Sequence, residues 1–287
     1  MNIRPRPLYW SVRRELWENR SVYVAPLVAA AFALVGFLIS SIGMPARRRA
    51  VLLLNPAQQQ AAIAQPYNFA AFLIMFVTFI VGVFYCLDAL HGERRDRSIL
   101  FWKSLPVSDL ATVLSKASIP FVILPLVSFA ITVVTQFLML LWSSLILMPS
   151  GLSATTWTRF DFVQQALMLL YHLVTVHVLW YAPIYAWMLL VSAWARRAAF
   201  LWAAMPLLTI GIVEKMAFNT SRFAAFLLGR MTGGPEAVTM PGGVPMDPMT
   251  HLTPGRFLLS PGLWLGLAFA GLCFAAAVRL RRYREPI

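Results

Sequence analysis

Long uninterrupted apolar runs dominate this chain, and they leave few folds open to it. Each run is roughly 16 to 30 residues long, and about 20 residues as a helix cover a hydrocarbon core about 30 Å thick. Short charged or Pro/Gly-rich stretches separate the runs. In lipid every backbone N–H must find its acceptor within its own segment, so the runs are expected to be helices. An outer-membrane barrel would alternate apolar and polar residues, which these runs do not do. Composition agrees: only 12% of the residues are charged, about half of the roughly 25% found in soluble domains. The fold class read from this pattern is an all-α membrane protein with about six transmembrane helices.

The spans are expected at residues 22–42, 67–87, 119–148, 165–191, 198–213 and 262–278, all within a single transmembrane domain over 1–287. Residues 8–20 read as an amphipathic interfacial helix. Leu8, Tyr9, Val12 and Leu16 share one face, Glu15 and Glu18 lie opposite, and Trp10 and Trp17 flank it. Ser41-Ile42-Gly43 loosely resembles a cleavage site, but the first span is long enough to be retained. Residues 43–66 read as a loop with an Arg47-Arg48-Arg49 run and a Gln-rich patch. The third span is overlong, with Pro120 and Pro125 near its start, and the fourth carries Pro183, so kinks or tilt are expected there. A loop at 214–261 holds Gly233-Gly234-Pro235 and Pro241-Gly242-Gly243. Inside it, 223–228 is a short apolar patch that can lie on the membrane or dip into it.

The formal charge of +13 would suggest nucleic acid in a soluble protein. Here most of the basic residues flank the spans, where they set topology and meet anionic lipid. With the N-terminus inside, about sixteen of the 24 basic residues fall on the inner side by the positive-inside count. They include Arg94, Arg95, Arg97, Lys103, Lys116, Arg196, Arg197 and the arginines of the C-terminal end. Arg47–Arg49 opposes this assignment and is outvoted. The expected location is therefore a bacterial inner membrane, multi-pass, with both termini cytoplasmic and no nucleic-acid partner.

Several residues invite a functional reading that ordinary packing explains equally well. Cys86 and Cys273 fall inside spans and read as small packing residues. His172 and His177 are ionisable groups inside the fourth span. Five positions put them roughly 140° apart on an α-helix, so they make a poor metal pair. Tyr171, Tyr181, Tyr185 and Trp187 can line a path or simply pack. Asp88 reads as a boundary ion pair with Arg94 nearby, and Glu214-Lys215 as the outer boundary of the fifth span. The chain has no Gly-x-x-x-x-Gly-Lys-Ser/Thr phosphate loop, His-Glu-x-x-His pair, Gly-x-Ser-x-Gly elbow or aspartate-rich transferase motif. No catalytic residue, cofactor or metal is assigned.

The most informative stretch is His91-Gly92-Glu93-Arg94-Arg95-Asp96-Arg97-Ser98-Ile99-Leu100-Phe101-Trp102-Lys103-Ser104-Leu105-Pro106-Val107-Ser108. Asp96 or Ser98 can cap a short helix, Pro106 stops it, and Ser108 or Asp109 can cap the next. This run resembles the cytoplasmic loop of ABC-2 type transporter permeases: a Glu, a short Leu-rich helix, Leu-Pro-(Val)-Ser, then a helix ending in Lys. The matching positions are Glu93, the helix 98–104, Leu105-Pro106-Val107-Ser108 and Lys116. The layout is also similar: an interfacial helix, six spans and a long external loop before the last.

The resemblance implies a coupling helix, within 88–118, that docks a separate ATPase subunit. Its contact residues would come from Glu93, Arg94, Arg95, Asp96 and Ser98, then Phe101, Trp102, Lys103, Leu105 and Pro106. It implies half of an export pathway, completed by a second permease copy or homologue in the lipid, with ATP hydrolysed by the partner. A secondary transporter remains an alternative, although no inverted repeat is visible. So do a membrane enzyme at the lipid interface and a scaffold that docks an ATPase without transport.

Overall fold

A computed structural model of the chain describes residues 6–96, 108–232 and 254–283. These residues form helices and turns, with no strand among them. Six helical stretches are long and apolar enough to cross a membrane: Ser21–Ser40, Pro56–Arg95, Asp109–Ser150, Phe162–Trp180, Ala199–Phe218 and Pro261–Tyr283. The chain is a multi-pass, all-α membrane protein.

The first elements are α1 (Arg6–Glu18), α2 (Ser21–Ser40) and α3 (Met44–Val51). The 43–66 stretch is not the loop expected of it. It holds α3, and α4 (Pro56–Ala89) begins eleven residues before the expected second span. Asn55 caps α4 by accepting a hydrogen bond from the Gln58 N–H at 2.9 Å, and Pro56 occupies the first turn, where no N–H is needed. The Ala- and Gln-rich start is polar, but both residues are good helix formers. At 34 residues, α4 is about 50 Å long and outreaches a core about 30 Å thick.

After the short α5 (His91–Arg95), the third span is built from α6 (Asp109–Ser118), a π-helical stretch Ile119–Ile123 and α7 (Leu124–Leu147). Ser108 caps α6 through the Ala111 N–H, as the sequence suggests. The distortion expected at Pro120 and Pro125 takes the form of one wide turn, in which the Leu124 N–H bonds to the Ile119 carbonyl. A short α8 (Ser153–Arg159) follows. The fourth span is likewise divided, into α9 (Phe162–His172), a π-helical stretch Leu173–Trp180 and α10 (Ala182–Trp194). The break falls at Tyr181, two residues before Pro183, and the Tyr181 N–H bonds to the Val176 carbonyl at 3.0 Å.

α11 (Ala199–Phe218) extends five residues past the expected fifth span, so Glu214 and Lys215 belong to it. The 223–228 patch lies in α12 (Arg222–Met231). Glu214 accepts from the Arg222 and Phe223 N–H groups, each at 2.8 Å, and so caps α12. The Gly/Pro motifs at 233–243 lie outside the described residues. The chain closes with α13 (Pro254–Leu259) and α14 (Pro261–Tyr283).

α4 is the central post. It packs against α2, α7 and α10, and α14 packs along α10. At Gly82 a Cβ would stand 2.9 Å from the Tyr185 ring of α10, so the lack of a side chain there lets the ring lie against α4. The fully buried Tyr185 is itself enclosed by Phe79, Phe121 and His177. α11 is peripheral. Ala203 is its single buried residue, while Phe200, Leu201, Met205, Leu208 and Ile212 are exposed, as befits a surface solvated by lipid.

Candidate functional site, a buried chain of charges

The charged residues around α5 are drawn inward. Glu93 lies on α5, Lys116 in the last turn of α6 and Arg281 in the last turn of α14. Glu15 comes from α1, far away in sequence. These four side chains are buried to 4–7% exposure, although charged residues in proteins are almost never fully buried unless paired. The Lys116 ammonium stands 2.9 Å from Glu15 Oε1 and 3.1 Å from Glu93 Oε1. The second Glu93 oxygen accepts from Arg281 Nη1. Arg281 Nε faces Asp109 Oδ1 at 3.3 Å, an ion pair outside hydrogen-bond geometry, and Asp109 is partly exposed. Tyr85 of α4 donates its hydroxyl to the other Glu15 oxygen at 2.8 Å.

The result is an alternating chain of charges, Glu15–Lys116–Glu93–Arg281–Asp109, that ties α1, α5, α6 and α14 together at one end of the bundle. Each of the three inner charges touches two opposite ones. Pairing of this kind is what makes burial of an ion tolerable, since an isolated charge in a low-dielectric interior costs many kcal/mol.

A second set of bonds fixes the entry to the loop. Ser192 of α10 accepts from the Leu90 and His91 N–H groups at 2.8 and 3.0 Å. Arg94 donates to the Ala193 and Ala195 carbonyls at 2.9 and 3.1 Å, neutralising the C-terminal end of α10. Both ends of the 93–116 stretch are therefore held. No family model, curated protein or solved structure matches this chain.

Of the residues assigned to docking, Glu93 and Arg94 turn into the bundle, so neither presents its charge at a surface. Arg95 and Asp96 are exposed and lie 3.1 Å apart. Asp88 reaches Arg95, at 4.0 Å, rather than the expected Arg94. Ser98, Phe101, Trp102, Lys103, Leu105 and Pro106 lie outside the described residues.

Glu15 departs from the sequence reading, which places it on the solvent side of α1, opposite the apolar stripe. The structure buries it beside Val12 and Leu16, which pack on the core, because Lys116 and Tyr85 supply its partners. Trp10 and Trp17 of the same helix remain exposed, with Arg13 stacked between them.

The two span histidines are separated by π-helical backbone, so the 140° offset expected of an α-helix does not apply. His177 Nε2 meets the Tyr185 hydroxyl at 3.1 Å, while His172 keeps a different environment. Among the described residues no group of three His, Cys, Asp or Glu side chains is placed to hold a metal. Cys86 and Cys273 are both buried and unpaired. Arg230 of α12 falls in the stretch 214–261 expected to be a loop. It is buried over the Trp180 ring, 4.1 Å from its centre, and donates to the Gly262 carbonyl at 2.7 Å. Burial lowers its pKa.

Proposed function

We propose that this chain is the membrane-spanning subunit of an ATP-driven exporter of the ABC-2 type, working with a separate ATPase and a second permease copy or homologue. The observation that carries the reading is the pairing of Glu93 with Lys116. These two residues bracket the motif that resembles the family's coupling loop, and their ion pair closes it into a clamped unit. Through Glu15 and Arg281 the same unit grips the first and last helices of the chain. A push on such a loop moves α1, α6 and α14 together, which is the property a lever between an ATPase and a pathway requires. An ATPase can shift the permease between states only by binding one of them better. In this reading the clamped end of the bundle faces the cytoplasm of a bacterial inner membrane, together with both termini.

The test is to purify the chain with the ATPase encoded nearest to it and to measure ATP hydrolysis in lipid. The expected result is a stable complex whose hydrolysis changes when Leu105 and Pro106 are replaced by Ala. A chain that purifies without an ATPase, or hydrolysis indifferent to that replacement, overturns the reading.

A further inference from the structure

Hydroxyl groups inside spans usually turn back on their own helix, because lipid offers no other partner. Thr78, Thr135 and Thr175 each donate to the carbonyl four residues earlier, at 2.7–2.8 Å. Ser143 and Ser144 likewise donate to the Leu140 carbonyl, three and four residues earlier, each at 2.9 Å. Ser128 and Thr132 do not. Both are fully buried, and neither hydroxyl meets a partner among the described residues.

These two residues lie on one face of α7 with Gln136, at successive four-residue steps of about 6 Å. Gln136, also fully buried, donates its amide to the Tyr67 carbonyl of α4 at 3.2 Å, so this face looks at α4. Its own oxygen has no partner among the described residues. From α9, Gln165 donates to the Asn68 side chain at 3.1 Å and again leaves its oxygen over. His172 sits seven residues on, on the same face of α9, nearly fully buried and with Nδ1 unpartnered.

Five unmet polar atoms on two helices, each bonded to α4 at the adjacent residues Tyr67 and Asn68, do not suit a dry interior. A buried polar group without a partner costs about 1–3 kcal/mol, and buried water typically supplies the missing bonds. The seam is graded in exposure. Asn68 and Gln165 are half-buried, whereas Gln136, Thr132 and Ser128 are closed off. On α4, Ala70 and Ala71 follow Tyr67 and Asn68 and are buried, so this stretch of α4 carries small side chains. Ser128, near the middle of the third span, lies twelve residues beyond Lys116, about 18 Å along the helix. We infer that α4, α7 and α9 enclose a seam that takes water, entered at Asn68 and Gln165 and ending at Ser128.

The inference does not depend on the exporter reading, and its test needs no ATPase. Radiolytic hydroxyl-radical footprinting of the full chain in lipid nanodiscs generates radicals from ordered water where that water sits. Met75 and Met168 are the reporters, because both pack on the Ala71, Leu169 and Leu173 cluster beside the seam. Met188 of α10, also partly buried, is the reference. The expected result is oxidation at Met75 and Met168 at least about fivefold faster than at Met188. That excess should fall severalfold in Thr132→Val/Gln136→Leu, with Met188 unchanged. The near-isosteric Thr132→Val alone should show a partial fall if the double variant does not fold. Equal rates at the three methionines, or an excess untouched by Thr132→Val, would show the seam to be dry.

Discussion

Replacing Lys116 with Met tests the buried charge chain at its most connected point. Lys116 is the ammonium shared by Glu15 and Glu93, at 2.9 and 3.1 Å. At about 3 Å and an effective dielectric of about 20, each contact carries roughly 5 kcal/mol of gross attraction. Most of that offsets the desolvation of the ions. The net effect of removing one partner from a buried pair is about 3–5 kcal/mol, because the remaining charge is stranded. Here two carboxylates lose a partner, and side-chain exposures of 4–7% leave little solvent to screen them. The expected loss is therefore at the upper part of that range, a fall in melting temperature on the order of 10 °C in lipid. Arg14→Met is the matched control. Its i,i+4 partner Glu18 is half-exposed, and the pair should be worth no more than about 0.5 kcal/mol. Thermal unfolding of both variants, followed by tryptophan fluorescence, makes the comparison. If Lys116→Met costs no more than Arg14→Met, the chain of charges is not a structural tie and the argument fails.

Three further substitutions test other parts of the architecture by the same unfolding assay. Gly82→Ala puts a methyl against the Tyr185 ring, which its aromatic neighbours hold in place; the expected destabilisation is about 1–3 kcal/mol. Ser192→Ala strands the Leu90 and His91 N–H groups at the entry to the loop. It should cost about 1–3 kcal/mol and speed hydrogen exchange at those two amides more than elsewhere. Ala198 has a left-handed backbone, with φ of 48°, at the start of α11, so Ala198→Gly should stabilise the protein by up to about 1 kcal/mol.

The spans were legible because burial in lipid needs only apolar length, and length is a local property of the sequence. Their outer parts were less so. The first turns of α4, rich in Gln and Ala, look like a loop to a hydropathy reading, yet they pack Ile63 and Tyr67 against Phe37 and Phe160. The π-helical stretches have a partial local signal in Pro120, Pro125 and Pro183. Prolines announce that α-helical bonding will be disturbed, without saying how the backbone responds. The charge chain had almost none. Glu15 and Lys116 are 101 positions apart, and Glu93 and Arg281 are 188 apart. Each reads locally as a flanking charge at a membrane boundary. The one hint for Glu15 is its helical spacing: seven residues from Leu8, it falls only about 20° from it, at the edge of the apolar stripe of α1 rather than opposite it.

Local reading failed for these charges because they have two uses at different times. By the positive-inside rule, Lys116 and Arg281 are expected to act during insertion as flanking charges that bias the orientation of their spans. Once the bundle closes, the same groups become the cations of an alternating chain. The second use makes a demand that the first does not, and it can be tested by exchange. Swapping Glu93 and Lys116 leaves the count of basic residues at this end unchanged, so insertion should proceed as before. The exchanged pair would still attract each other. However, the new glutamate at 116 would face Glu15, and the new lysine at 93 would face Arg281. One pair is kept and two like-charge contacts are made, so the swap should be no better than either single change. Exchanging Asp109 with Arg281 keeps their pair and opposes a carboxylate to Glu93 alone, which should be milder. The expected order of stability is parent, then the Asp109/Arg281 exchange, then the Glu93/Lys116 exchange, with span orientation preserved throughout when read by protease protection. Full rescue by the Glu93/Lys116 exchange would mean that the charges act as separate pairs, and that α1 and α14 are not joined through the loop.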